Sequence, residues 1–515
     1  MMIIDPVAFG DVAFTRPSPK WVFDRTGTLV QVPANTLAVT YDPGDLTKAP
    51  YALVEPAVTN GVFSPGPVTS GWSTNGGTFE NSMYPDPTGG GRASRWVMGP
   101  GNGKYIRVNG SSCRYDMGAQ VYTVSMFVKP MASGGGLAFG LEAPFKQAVF
   151  DFDTMTVIGG SGTIEARALP QGGGWYRLYV TFLGDPGGNK TIIAYSQGGS
   201  SDILVFGDQI ELDRLTTYAE GTRAADVIAP GAGLVYSNVP ITEPNYNSTT
   251  TYAKDAVVHD PATHNTYVSL IAGNVGKPLT DTTAWAPNGV TNRWAMLDQY
   301  NNTQTSNAEE IIVVLTAQAL AQGVYIGNAD ASDVRISCYD PNDGLVYQET
   351  KNLIISDSGS SFYNWCFKRI RKKSYAVSVQ LPPYYTGLVT IALRKPGGTP
   401  KCGMCVLGPL VDVGLSQYGL SREIKDYSTV NFNFDGTSNV QKRNFAKIMD
   451  VDVLIDNAYI DSVIESLENY RQKPVAWIGA AAYGSACLFG TYTSFKSVIS
   501  YPTQSAMNLQ IQGTV

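Results

Sequence analysis

Short runs in which apolar and polar residues alternate, cut apart by glycine, constrain this chain more than any other feature. They are clearest between Gly61 and Asp226: Tyr105–Val108, Tyr122–Val128, Ala148–Phe152, Trp175–Phe182 and Ile203–Phe206, with Gly134-Gly135-Gly136 and Gly172-Gly173-Gly174 among the breaks. A period of two places every second side chain on one face, and glycine turns return the chain antiparallel, so the expected form is a sandwich. Composition agrees: 54 Gly, 29 Tyr and only 16% charged residues suit strands and turns better than long helices. At 515 residues and 43% hydrophobic, the chain has core enough for several domains and is not disordered.

Several function classes fall away at this point. Net charge is −6, whereas general binding to a phosphate backbone needs an excess of Lys and Arg, so no nucleic-acid partner is expected. No apolar run reaches membrane-spanning length, and the start Met1-Met2-Ile3-Ile4-Asp5-Pro6 lacks a leader's basic and apolar regions, so neither membrane insertion nor secretion is expected. Six scattered Cys suggest free thiols in a reducing cytoplasm. Two histidines, His259 and His264, make His-dependent triads and His-rich metal sites improbable.

Five segments are expected. Residues 1–60 carry seven prolines and one hairpin, Trp21–Val30, and read as an extended arm lying on the next domain or on another subunit. Residues 61–226 form the first β-sandwich, 241–300 a small unit, and 301–412 a second sandwich whose turn Asp340-Pro341-Asn342-Asp343-Gly344 closes a hairpin. Residues 413–515 form an α+β unit: a strand at Lys447–Ile455, then a helix capped by Asp456 with Ile460, Val463, Ile464, Leu467 and Tyr470 on one face, then a strand at Val475–Ile478. The fold class is mainly β, with multi-domain sandwiches, a small three-stranded module and a C-terminal α+β unit.

Three stretches carry resemblances. Thr59-Asn60, Gly71-Trp72, Tyr122–Lys129, Gly174–Thr181 and Gly207-Asp208-Gln209-Ile210-Glu211-Leu212, followed by Thr217-Tyr218, resemble in their order the jelly-roll carbohydrate-binding domains of bacteriophage tail proteins. Tyr246, Tyr252–Val258, Asn265–Leu270, Gly276-Lys277-Pro278 and Trp285 resemble the small carbohydrate-binding module of chitinases. Lys254 replaces that module's Gly, and Leu270 and Ile271 replace its exposed aromatic, so the fold looks kept and the sugar platform partly lost. Thr291-Asn292-Arg293-Trp294-Ala295-Met296-Leu297-Asp298 closely resembles a signature of phage virion proteins that carry this module ahead of another β-domain.

These resemblances imply a structural protein of a phage tail or neck, assembled in the bacterial cytoplasm, present in several copies, touching other virion proteins and displaying modules towards a host-surface glycan. The alternatives are a purely architectural virion protein or a glycan depolymerase. Candidate sugar-stacking aromatics are Trp72, Trp96, Tyr105, Tyr115, Tyr252 and Tyr267, some of which must serve as core. Trp285 and Trp294 are expected to anchor the small module.

Other constellations have plainer readings. Asp151 and Asp153 lie one strand period apart with Glu165 nearby, a pattern open to hydrolysis, calcium or mere loop solvation. Cys402-Gly403-Met404-Cys405 has redox or half-zinc spacing without two further ligands. His259 and His264 flank a turn and are expected in solvent. Gly99–Lys104 lacks the Ser/Thr and helix of a phosphate loop, and Lys368–Lys373 is one basic cluster, a solvated loop or a partner surface. No catalytic residue, metal or cofactor is expected.

Overall fold

A computed structural model describes residues 1–62, 72–99, 101–108, 118–142, 145–185, 191–198, 201–298, 300–355, 362, 367, 371–432, 434, 436–499 and 501–514. They form two compact units, Ala13–Ala229 and a second made of Met1–Val12 with Pro230–Val515.

The Ala13–Ala229 unit is a sandwich of two six-stranded antiparallel sheets. The first runs Thr78–Tyr84, Ala93–Met98, Ser201–Leu212, Val121–Pro130, Tyr176–Leu183, Glu165–Pro170. The second runs Val157–Ser161, Lys146–Asp151, Gly136–Leu141, Ile192–Gln197, Tyr105–Val108, Trp72–Asn75. Alternation sorts the side chains as the sequence indicates: Tyr122, Val124, Met126 and Val128 enter the core between the sheets with Phe139, Phe150 and Ile106.

The outer face of the first sheet is covered as well. Phe127, Leu204, Phe206, Trp175 and Tyr218 pack there with Leu29, Trp21 and Phe23 of the hairpin Lys20–Phe23/Leu29–Val32. Gly207 (φ +62°) is needed for this, because a Cβ would press on the rings of Tyr218 and Phe127 at 3.0 and 3.1 Å. The hairpin thus lies on the outer face of this sheet, and residues 13–60 belong to the same compact unit as the sandwich.

Charge is buried beneath that cover. Asp226 pairs with Arg16 (3.0 Å) and Lys20 (2.7 Å), all three side chains fully buried, and Lys20 also reaches Glu55 (2.9 Å). Arg223 holds the other side of Glu55 at 2.6 Å. These two cations outweigh burial and hold the Glu55 carboxyl down at about 2. Arg177 donates to Thr216 O (2.7 Å) and Ser125 Oγ (3.0 Å).

In the second unit, the three-stranded module Val257–His259, Asn265–Ser269, Trp285–Val290 precedes the second sandwich. One sheet of that sandwich runs Gly10–Asp11, Gly233–Ser237, Glu310–Thr316, Leu388–Arg394, Asp333–Asp340, Gly344–Asn352. The other runs Ala376–Ser378, Gly323–Gly327, Met404–Gly408, and the core lies between them. Asp340 closes the expected hairpin by accepting the N–H groups of Asn342 (2.8 Å) and Asp343 (3.1 Å).

The C-terminal sheet runs Leu410–Asp412, Met2–Ile4, Val475–Ile478, Cys487–Val498, Gln504–Gly513, Phe445–Asp456. Leu415–Ser416 and Ser421–Asp426 both lie along the last strand. The strand Met2–Ile4 thus sits inside this sheet, whereas the sequence reading lays residues 1–60 on the next domain or on another subunit. Gly408 lets it in, since a Cβ there would overlap the carbonyl oxygen of Asp5. The helix Ile460–Asn469 covers one face through Ile460, Val463 and Leu467. Tyr459, not Asp456, occupies its N-cap, and Asp456 instead ends the preceding strand by accepting the N–H of Ala458 at 2.9 Å. Among the described residues, no helix is long and apolar enough to cross a membrane.

Candidate functional site: an aromatic face on the first sandwich

The second sheet of the Ala13–Ala229 sandwich sends Ile106, Val108, Phe139 and Ala194 into the core, so alternation turns Tyr105, Arg107 and Tyr195 outward. Tyr105 and Tyr195 are directly opposed in register and meet edge to face at 5.6 Å. Phe145, 58% exposed, lies 6.3 Å from the Tyr195 ring. Arg107 lies over Tyr105 (5.2 Å), donates Nε–H to Ser73 Oγ (3.0 Å) and pairs with Glu142 (3.2 Å). Burial, with Glu142 and Tyr105 close by, raises the Tyr195 phenol above its ordinary value, so it stays a neutral donor. Alanine and glycine at Ala138, Gly140 and Gly159 keep the neighbouring strands low, and the result is a surface of three rings beside a fixed guanidinium–carboxylate pair.

A cleft of about 600 Å³ opens elsewhere on this unit. Phe23, Tyr41, Tyr51 and Pro170 wall it, and Glu55 and Arg177 line it. Its Tyr51 phenol is pushed up to about 12 by burial and by Asp42 and Glu55.

The expected sugar-stacking residues separate. Tyr105 lies on the aromatic face. Trp96 does not: it is fully buried in the core, its Nε1–H donating to Gly76 O at 3.3 Å, so no sugar reaches it. Its place in an alternating strand fitted either face, and its partners Phe79 and Ile203 lie elsewhere in sequence. The backbone of Trp72 pairs with Val108, and Tyr115 lies outside the described residues. Tyr252 belongs to the small module's own core, stacked on Tyr246 (6.2 Å) and edge-on to Trp285 (5.4 Å), with half-buried Tyr267 beside them. Tyr195, Phe145, Arg107 and Glu142 were missed, although Tyr195 alternates within the readable run Ile192–Gln197.

Both histidines depart from expectation and are buried. His264 stacks on Trp294 at 3.8 Å and its Nε2 faces Asp11 at 3.2 Å, while His259 Nδ1 meets Glu243 O at 2.7 Å. The Thr291–Asp298 string explains the burial. The amide of Asn292 exchanges hydrogen bonds with the backbone of Ser306 (2.8 and 2.9 Å), Arg293 Nε–H donates to Val239 O (2.7 Å), and Met296 O accepts from the N–H of Cys405 (2.7 Å). The string fastens the three-stranded module to the second sandwich.

The remaining constellations are structural. Asp151 Oδ1 accepts from the Thr154 hydroxyl (2.8 Å), Thr154 N (2.8 Å) and Asp153 N (3.1 Å), bonds that lower its carboxyl. Asp153 accepts from Gly134 N (2.8 Å), and Glu165 from the Tyr179 hydroxyl (2.8 Å). Cys402 and Cys405 are buried; burial pushes the Cys402 thiol up to about 12 and that of Cys405 well up, opposite to a reactive thiolate. Among the described residues, no group of three His, Cys, Asp or Glu is placed to hold a metal. In the basic cluster, Lys368–Ile370 lie outside the described residues, and Lys372 pairs with Asp330 at 3.0 Å. In the loop Gly101–Lys104, Gly101 O accepts from Ser196 Oγ (3.1 Å) and Asn102 from Gly198 N (2.7 Å), which binds the loop to a neighbouring strand.

No protein-family model and no curated protein matches the chain. Solved structures similar to parts of it include carbohydrate-binding modules of xylanases. One is the CBM22-1–GH10 portion of Clostridium thermocellum endo-1,4-beta-D-xylanase 10B, at 17% identity and TM-score 0.22, covering 32% of this chain and 30% of that one. Another is the tandem CBM22-1–CBM22-2 domain of a Paenibacillus barcinonensis xylanase, at 10% identity and TM-score 0.21, covering 69% of this chain and 98% of that one. A third is a beta-1,2-glucanase from Parabacteroides distasonis, at 12% identity and TM-score 0.18, covering 51% and 36%. The chain spans about a third of the length of the Clostridium structure, and likenesses at these scores assign no activity.

Proposed function

We propose that this chain is a carbohydrate-recognition protein of a bacteriophage tail or neck, and that it binds glycan on the Tyr105–Tyr195–Phe145 face. The observation that carries the binding is the grouping of half-buried Tyr105 and Tyr195 with exposed Phe145 beside the Arg107–Glu142 pair. The C–H faces of a pyranose pack on aromatic planes, and its hydroxyls take the guanidinium N–H groups and the carboxylate as fixed partners. Binding is the whole mechanism and no bond is broken. The virion assignment rests on the resemblance of Thr291–Asp298, and a module fastened as that string fastens it suits rigid display. Several copies in one particle would raise a weak single-site affinity by avidity.

The test is a glycan array probed with the full chain, followed by titration of hits with Tyr195→Ala and Phe145→Ala. Each variant is expected to bind about tenfold or more weakly, in line with loss of one aromatic contact. Unchanged affinity would move the site elsewhere. No binding by the intact assembly would leave the architectural role, and reducing-end release from a polysaccharide would replace binding by hydrolysis. Imaging of labelled protein at the outer surface of a virion tail or neck supports the location, and absence from the particle overturns it.

A further inference from the structure

The strand Ser421–Asp426 is an open rim of the C-terminal sheet. It pairs with residues 445–450 on one side, and among the described residues no strand pairs with its other side. All six residues are exposed, Ile424 at 66%. An exposed row of backbone donors and acceptors is a template for another strand, and charged side chains normally blunt it. Here their order does the reverse.

The run reads Arg422-Glu423-Ile424-Lys425-Asp426. In an antiparallel ladder, hydrogen-bonded and non-hydrogen-bonded pairs alternate, so a two-fold axis relating two copies must pass through a residue and its own symmetry mate. With that axis at Ile424, Ile424 faces Ile424, Glu423 faces Lys425, and Arg422 faces Asp426, each charged pair occurring twice. An axis at Glu423 would oppose Arg422 to Ile424, and one at Lys425 would oppose Ile424 to Asp426. Only the Ile424 centre satisfies every side chain. The chain that follows carries further exposed apolar residues, Val430, Phe434 and Val440, around the hairpin Thr429–Phe432/Ser438–Gln441.

We infer that a second copy of this chain docks on Ser421–Asp426, edge to edge and antiparallel about Ile424, so that two C-terminal sheets become one continuous sheet. This goes beyond glycan recognition and does not depend on it.

The test uses the full chain in analytical ultracentrifugation. Wild type is expected to form a dimer, or a higher assembly built on one. Glu423→Lys opposes lysine to Lys425 on both sides of the axis and is expected to weaken association roughly tenfold or more. Adding Lys425→Glu to it exchanges the two charges and restores the dimer, which damage to folding would not do. Independently, Ile424→Cys places two sulfurs at a Cα separation of about 4.5–5.5 Å, within disulfide reach, and crosslinks on mild oxidation. Ser421→Cys, whose symmetry mates lie roughly 20 Å apart, does not crosslink. A monomeric wild type, an assembly indifferent to Glu423→Lys, failure of the charge exchange to restore it, or equal crosslinking at both positions would overturn the proposal.

Discussion

Replacing Asp208 by asparagine is expected to stabilise the Ala13–Ala229 unit, and to do so more at alkaline than at acidic pH. Asp208 is fully buried, and neither carboxylate oxygen has a hydrogen-bond partner among the described residues. Burial without a partner raises its carboxyl to about 7 from an ordinary value near 3.8. The folded chain therefore holds a proton that the unfolded chain releases, and stability falls as pH rises through that window. Between about pH 5 and about pH 8 the loss comes to about 2.5 kcal/mol. Asparagine has nothing to ionise, so the gain from Asp208→Asn should be larger at the higher pH by that amount. For a unit of roughly 200 residues this is about 5–10 °C in melting temperature. Because the chain has two units, differential scanning calorimetry should be paired with hydrogen exchange of the strand Ser201–Leu212, which assigns the transition. A variant whose advantage is equal at both pH values, or which melts lower at the higher pH, would refute the reasoning.

Asp226→Asn leaves Arg16 and Lys20 buried without their shared carboxylate, so the same unit should lose about 3–5 kcal/mol, read by chemical denaturation. Glu55, held at about 2, stabilises the fold above the ordinary carboxylate value near 4.5 and ceases to do so as pH drops towards 2; Glu55→Gln should flatten that acid limb in a melting series. Burial lowers the His264 imidazole below its ordinary 6.5, so the docking of the three-stranded module should weaken on acidification below that value, seen as faster amide exchange at Asn265–Ser269. Asn292→Ala removes both bonds to Ser306 and should cost about 1–3 kcal/mol in the same region.

Alternation made the sandwich legible. Tyr105–Val108 and Tyr122–Val128 stand where the period of two placed them, because each strand's pattern is local. What was lost depends on distant partners. The strand Met2–Ile4 is three residues long and gains its identity from residues 410–412 and 476–478. Ser421–Asp426 went unread because an exposed, charged edge has no hydrophobic period. His264 looked solvent-bound because Trp294, which buries it, lies thirty positions on. Of the aromatic face only Tyr105 was singled out: the residues that flank it are glycines and an alanine on other strands, and small residues announce nothing by themselves.

The position of Met2–Ile4 between Leu410–Asp412 and Val475–Ile478 has a consequence for how the polypeptide matures. At a translation speed of about 5–20 residues per second, this strand waits on the order of half a minute or more for Val475–Ile478 to be made. The sandwich that interrupts its unit has all its strands early and can settle meanwhile. Biogenesis then proceeds from the inserted piece outwards, and the last sheet to close is the one that holds Met2–Ile4 between strands more than four hundred residues further along the chain.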